Sequence, residues 1–153
     1  MTVGQGQRPR LEAVTGLRAA DVTIGGLRLR ANSPLEFYDR DIIVQLELTK
    51  WASRFHLVRL DFRPFGAHQN ARRELRHLPR RIEPDVSHAH AFDENARLGL
   101  EAFRSIKIDN LPAAVPIDPP PRSVRDSFLI VGQFMNITDC ADMPMPPWQG
   151  KLV

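Results

Sequence analysis

The sequence predicts an α+β domain: a mostly antiparallel sheet of about five strands packed by one C-terminal helix. Three observations lead there. Period-two alternation recurs between residues 22 and 92, and a sustained helical period occupies residues 124–138. Between the two lies a stretch, 111–122, that holds five prolines.

Residues 1–20 lack a clear period and contain Gly4, Gly6 and Pro9, so they are expected to form a flexible arm before a single domain over 21–139. Val22 to Arg30 alternates on both sides of Gly25-Gly26, which predicts a hairpin turn there. Asn32-Ser33-Pro34 marks a turn, and Ile42 to Thr49 begins as a buried run and then alternates as a strand. Phe55 to Arg63 is a second strand, with His56, Val58, Leu60 and Phe62 on one face and Arg59, Asp61 and Arg63 on the other. Pro64 and Gly66 end it.

Ala71 to Arg81 is strongly basic and reads as a short exposed helix or ordered loop, stopped by Pro79. Asp85 to Phe92 is a third central strand, then Asp93-Glu94-Asn95 a turn, then Leu98 to Ile108 strand or mixed structure. The prolines make 109–122 a stiff extended connector, neither helix nor interior strand. Ser123 is a natural N-cap with Asp126 three residues on, and Val124, Phe128, Val131 and Met135 follow at helical spacing. Residues 140–153, with Trp148, are expected to be an extended tail.

The chain has 153 residues, 42% hydrophobic and 25% charged, a composition that argues against wholesale disorder and a fibrous repeat. No apolar run approaches the length of a membrane-spanning helix, and residues 1–10 have no apolar stretch of the secretory kind. Cys140 is the single cysteine, which excludes an internal disulfide and a Cys-clustered zinc site. A reducing, cytoplasmic location is the expectation.

Charge is unevenly placed. Residues 1–49 balance at 6 basic and 6 acidic, residues 50–82 carry 9 basic against Asp61 and Glu74, and residues 83–153 carry 6 against 10. Only 3 of the 21 cationic residues are lysine, so the basic segment is essentially arginine, the side chain suited to bidentate phosphate or carboxylate contacts. Such a segment attracts a polyanion or an acidic protein surface.

Four of the five histidines, His68, His77, His88 and His90, fall within one short stretch. On a strand, His88 and His90 point the same way, so both imidazoles can converge on one ion or substrate group; the alternative is a half-exposed surface pair. His68 follows the preceding strand, with Asn70 two residues later, and reaches the pair if the Phe55 and Asp85 strands are neighbours. His77 reads as a solvated member of the basic face and His56 as a core or edge residue. Arg59 and Asp61 share a strand face, either as a structural bridge or with Arg59 on a phosphate and Asp61 orienting a histidine.

Two chemistries suit this set. In the first, His68, His88 and His90 with Asp61 perform general acid–base cleavage of an RNA backbone without a cofactor. Arg59 and Arg63 would contact phosphate, while Arg72, Arg73, Arg76, Arg80 and Arg81 would give diffuse affinity. In the second, a metal enzyme holds zinc or manganese through His68, His88, His90 and Glu94. His88-x-His90-x-x-x-Glu94 has the spacing of the first cupin motif, although Ile82 stands at the place of its upstream glycine and its second motif has no counterpart. A non-catalytic alternative is an inhibitor, of phage or plasmid type, that binds an acidic partner through the arginine segment.

The stretch Leu57 to Asn70 (LVRLDFRPFGAHQN), followed by Ser87-His-Ala-His90, resembles TumE-type small toxins of bacterial toxin–antitoxin modules. Arg59 and Asp61 match that pattern's Arg-x-Asp strand, His68 its histidine after a turn, and His88 with His90 its closely spaced pair. The resemblance spans about residues 40–138. It implies an RNA-acting toxin or ribonuclease, with an acidic antitoxin as partner.

Overall fold

A computed structural model describes residues 10–146 of the chain. The start of the expected arm, residues 1–9, and the end of the expected tail, 147–153 with Trp148, lie outside the described residues. Ten of the twenty arm residues are strand: β1 (Arg10–Ala19) pairs antiparallel with β2 (Val22–Pro34). The sequence missed β1 because its alternation is weak, yet Leu11 and Ala13 reach the core while Arg10 bonds Asn32 and Asp41.

The hairpin turn therefore falls at Ala20-Asp21, not at Gly25-Gly26. The two glycines instead sit where the β1–β2 register shifts between Gly16 and Arg18. Gly26 has φ +78, and a Cβ there would run into the carbonyl oxygen of Thr49 on β3 (Ile42–Lys50). Glycine serves here for a bulge and a close approach. Asn32-Ser33-Pro34 likewise belongs to β2, and the connection to β3 lies beyond it.

Strand β4 (Ser53–Phe62) continues the antiparallel order, and the main sheet runs β1-β2-β3-β4-β7-β8, with β7 at His88–His90 and β8 at Val115–Pro116. A small second sheet pairs β5 (His68–Gln69) with β6 (Arg81–Ile82). The α+β class and the C-terminal helix are as the sequence predicts, with six strands in the main sheet. The expected turn at 93–95 is a short helix, α1 (Phe92–Ala96), and the 98–108 region holds a 3₁₀ turn, Leu100–Phe103. The basic segment is an ordered loop around a single 3₁₀ turn, Arg73–Leu75.

Helix α2 (Val124–Met135) starts where Ser123 Oγ accepts from the Asp126 amide and ends at Asn136 in the left-handed conformation. It lays Val124, Phe128 and Val131 on one sheet face, against Leu11, Leu29, Ala31, Ile42, Val44, Leu60 and Phe62. Full burial of each such large side chain contributes about 1.5–3 kcal/mol. Cys140 joins this core from a 3₁₀ turn, Thr138–Asp142, so the expected tail begins folded. No helix among the described residues is long and apolar enough to cross a membrane.

Away from the α2 core lies a second, smaller apolar cluster, in which Phe55 and Leu57 of β4 pack with Leu98, Ala102, Phe103 and Leu111. The rest of the opposite sheet face is polar and largely covered. Arg30 on β2 bonds Glu12 and donates from Nε to Glu47 Oε1 at 2.8 Å, and Gln45 donates to the same oxygen at 2.5 Å. Burial pushes the Glu47 carboxyl up, but Arg30 and Gln45 outweigh it and hold it below the usual range. A register shift between Leu46 and Glu47 sets His56 opposite Glu47, away from Val58, Leu60 and Phe62, with which simple alternation grouped it. The candidate site lies on this same polar face.

Candidate functional site

Strands β4 and β7 pair with Arg59 opposite His90, Leu60 opposite Ala89 and Asp61 opposite His88. The register places Arg59, Asp61, His88 and His90 on one face and leaves Ala89, a small residue, beside Leu60 on the helix side. The turn after β4 then returns His68 on β5. Its ring centroid stands 5.5 Å from His88 and 4.8 Å from His90, and His88 and His90 are 5.2 Å apart. Ring nitrogens of all three lie within 4.8 Å of one another.

The protons on these rings are fixed by backbone. His90 Nδ1 donates to the Leu111 carbonyl at 2.5 Å, His88 Nδ1 to the Val86 carbonyl at 2.9 Å, and His68 Nε2 to the Pro112 carbonyl at 2.9 Å. A neutral imidazole has one N–H, so the nitrogens left as lone pairs are His88 Nε2, His90 Nε2 and His68 Nδ1. His88 Nε2 is 3.2 Å from Asp61 Oδ2, and His90 Nε2 is 3.3 Å from the same oxygen. With the Nδ1 protons committed, those contacts set lone pair against carboxylate unless a cation, proton or metal, lies among them.

Electrostatics keep the components ready for that cation. Burial pushes the Asp61 carboxyl up, but the Arg59 guanidinium beside it outweighs that and holds it well below the usual carboxylate range. Burial, with Arg59 next, lowers His90 to about 4. His68 is also lowered, chiefly by burial, with the Pro112 carbonyl opposing. Arg59 Nη2 stands 2.8 Å from His90 Nε2, and Arg59 Nε is 3.0 Å from Asp61 Oδ1. That second contact is close enough for an ion pair but misaligned as a hydrogen bond, so Arg59 Nε and Asp61 Oδ1 are buried without a hydrogen-bond partner.

A frame that the sequence did not reveal supports the rings. Four successive carbonyls of the Pro-rich segment each accept from a different side chain. Leu111 takes His90, Pro112 takes His68, Ala113 takes Asn95 Nδ2 at 3.0 Å and Ala114 takes Asn70 Nδ2 at 2.8 Å. The two asparagines also accept from the Ala113 and Ala114 amides, each at 2.9 Å. Residues 111–114 are thus a buried wall of the site, where a connector was expected, while β8 keeps the edge position that proline requires. Leu111 holds φ +49, a conformation that disfavours a Cβ by about 1–2 kcal/mol.

The other expected residues disperse. Glu94 turns to His77, 2.8 Å from its Nε2, and to Arg97, and is not among the clustered ligands; the carboxylate that meets the histidines is Asp61. Arg63 pairs with Asp85 at 3.4 Å, Arg72 with Asp109 at 2.5 Å and Arg81 with Glu83 at 2.8 Å. Arg73, Arg76 and Arg80 make no ion pair among the described residues. The chain matches no family model, no curated protein and no solved structure.

Proposed function

We propose that this chain is a small divalent-metal protein whose ion is held by His68, His88 and His90 with Asp61 beside it. One observation carries the reading: backbone carbonyls take one N–H from each ring, which turns the other nitrogens of His88 and His90 toward Asp61 Oδ2, with Arg59 Nη2 also donating to His90 Nε2 at 2.8 Å. Around a tetrahedral ion with bonds of about 2.0–2.1 Å, adjacent donors stand about 3.3 Å apart. The two Asp61 contacts, 3.2 and 3.3 Å, have that spacing. His68, half-buried, completes the set, one ring nitrogen from each histidine lying within 4.8 Å of the others. Second acceptors behind metal-binding imidazoles serve the same purpose generally, fixing tautomer and orientation.

Three imidazole nitrogens and one carboxylate favour zinc first and manganese second. Arg59 Nε pairs with Asp61 Oδ1 and leaves Oδ2 as the oxygen that would face an ion. When bound, such an ion would polarise an ester oxygen and lower the pKa of water. Hydrolysis of a small substrate is the chemistry the reading implies.

The test is elemental analysis of chain purified without chelator, followed by zinc titration of the stripped protein. About one ion per chain, lost in the His68→Gln variant and in a His88→Ala/His90→Ala double variant, is expected. Folded protein that neither retains nor takes up zinc or manganese sinks the reading.

A second reading is RNA cleavage by a growth-inhibiting toxin, through histidine acid–base chemistry. What supports it is that the five residues of the resemblance, Arg59, Asp61, His68, His88 and His90, stand together. It asks a polymer to reach rings that are 2% and 0% exposed at His88 and His90, and so it ranks second. Growth arrest on induced expression, abolished in a folded His88→Ala/His90→Ala variant together with RNA cleavage by metal-free protein, would reverse the order.

A further inference from the structure

Next to the proposed metal site, the loop from Asn70 to Arg80 borders a half-open cavity of about 430 Å³. The loop is ordered by its own bonds. The Asn70 amide donates to the Arg80 carbonyl at 3.0 Å, and Asn70 Nδ2 donates to the Pro79 carbonyl at 2.7 Å. Leu75, 1% exposed, anchors the loop to the interior, and the β5–β6 pair closes its base.

Arginines line this cavity together with Leu75 and Leu78. The structure divides them. Arg72 is neutralised by Asp109, whereas Arg73, Arg76 and Arg80 have no carboxylate partner among the described residues. Three unpaired guanidinium groups on one short, closed loop repel each other, and an anion seated among them relieves that repulsion. Arg73, Arg76 and Arg80 are exposed, and the concavity they border, with its apolar portion, falls in the size range of small-ligand sites.

We infer that the cavity binds a small phosphate monoester, its phosphoryl group among Arg73, Arg76 and Arg80 and its organic part against the half-buried Leu78. A terminal phosphoryl group carries about −1.5 to −2 charges and three acceptor oxygens, which suits guanidinium donors better than the single charge of a diester link. The inference stands on the loop alone and holds whether or not the neighbouring histidines bind metal.

Isothermal titration calorimetry of the full chain as purified, with phenyl phosphate, inorganic phosphate and a single-stranded RNA oligomer, tests it. One phenyl phosphate per chain is expected, bound more tightly than inorganic phosphate. An Arg76→Ala/Arg80→Ala variant, altered only at exposed side chains, should bind about tenfold or more weakly. Chain stripped of metal should bind phenyl phosphate equally well, which separates the cavity from the proposed metal site. Inorganic phosphate binding equally well would overturn the monoester assignment. So would RNA binding far more tightly with a steep loss between about 50 and 200 mM salt, since that is the mark of many phosphate contacts. No binding of phenyl phosphate, or binding undiminished in the arginine variant, overturns the site itself.

Discussion

Asn70→Ala is the most informative single perturbation, because Asn70 joins the arginine loop, the Pro-rich wall and His68. Its amide makes two buried bonds to the Ala114 backbone, at 2.8 and 2.9 Å, and a partly buried one to the Pro79 carbonyl at 2.7 Å. Truncation leaves the Ala114 N–H and carbonyl without partners in the interior, while the Pro79 carbonyl lies where water can reach it. An orphaned buried polar group costs about 1–3 kcal/mol, so the two together set the loss at about 2–6 kcal/mol. That is a large share of the about 5–15 kcal/mol typical of a domain.

Urea unfolding of zinc-free wild type and variant, compared at equal slope, measures the loss. Asn70→Asp is the discriminating control. It keeps volume and the acceptor for the Ala114 amide but sets a carboxylate oxygen against two carbonyls. If hydrogen bonding is the cause, Asp is no better than Ala; if filled volume is, Asp is close to wild type. Zinc affinity, read by chelator competition, should fall about 10–100-fold in Asn70→Ala, the usual cost of losing a group behind a ligand. A stability loss under about 1 kcal/mol, or a tolerated Asp, would refute the account of residues 111–114 as a hydrogen-bonded frame.

Two further outcomes follow from the two sheet faces. Phe128→Ala removes a fully buried ring from the α2–sheet core and should cost about 3–5 kcal/mol in the same unfolding assay. On the polar face, burial lowers His56 from its ordinary 6.5, against the opposing charge of Glu47, with Arg59, Arg54 and Arg30 adding to the lowering. A depressed folded value means that the unfolded chain takes the proton first. The stability tied to neutral His56 is therefore whole above pH 6.5 and lost progressively as pH falls below it. The urea midpoint of wild type should drop more than that of His56→Gln between pH 8 and 5, and equal drops would count against the assignment.

The sheet and its helix were legible because one face is uniform. Leu29, Ala31, Val44, Leu60 and Phe62 alternate cleanly, and Ser123 with Phe128 and Val131 marks the helix that covers them. The site was legible in part for the same reason: i and i+2 spacing puts Arg59 with Asp61 and His88 with His90 on one face, whatever the strand order. That β4 pairs with β7, and so unites the four, is a long-range choice that local pattern does not encode. β1 was hidden because its outer face, Glu12 and Val14 beside Arg30, follows ion pairing more than hydropathy. His56 was misplaced because a single-residue shift reverses faces without any mark in composition. Glu94 was attractive by spacing alone, and α1 turns it to His77.

The Pro-rich segment was the deepest misreading, and its resolution explains why prolines suit this place. A neutral imidazole that offers one nitrogen to an ion needs a carbonyl acceptor behind the other, and carbonyls in helices and interior strands are already engaged. An extended segment that proline keeps out of the ladder presents free carbonyls at successive residues. Pro112 contributes an acceptor without an N–H that would need burial. The three remaining amides of 111–114 are matched: Leu111 donates to Ala102 at 2.6 Å, and Ala113 and Ala114 donate to Asn95 and Asn70. Every backbone polar group of the wall is thereby paired while two of its carbonyls fix His68 and His90. Strand pairing brings the histidines together, and this satisfied, proline-stiffened wall sets which nitrogen of His68 and of His90 carries the proton, as the Val86 carbonyl does for His88.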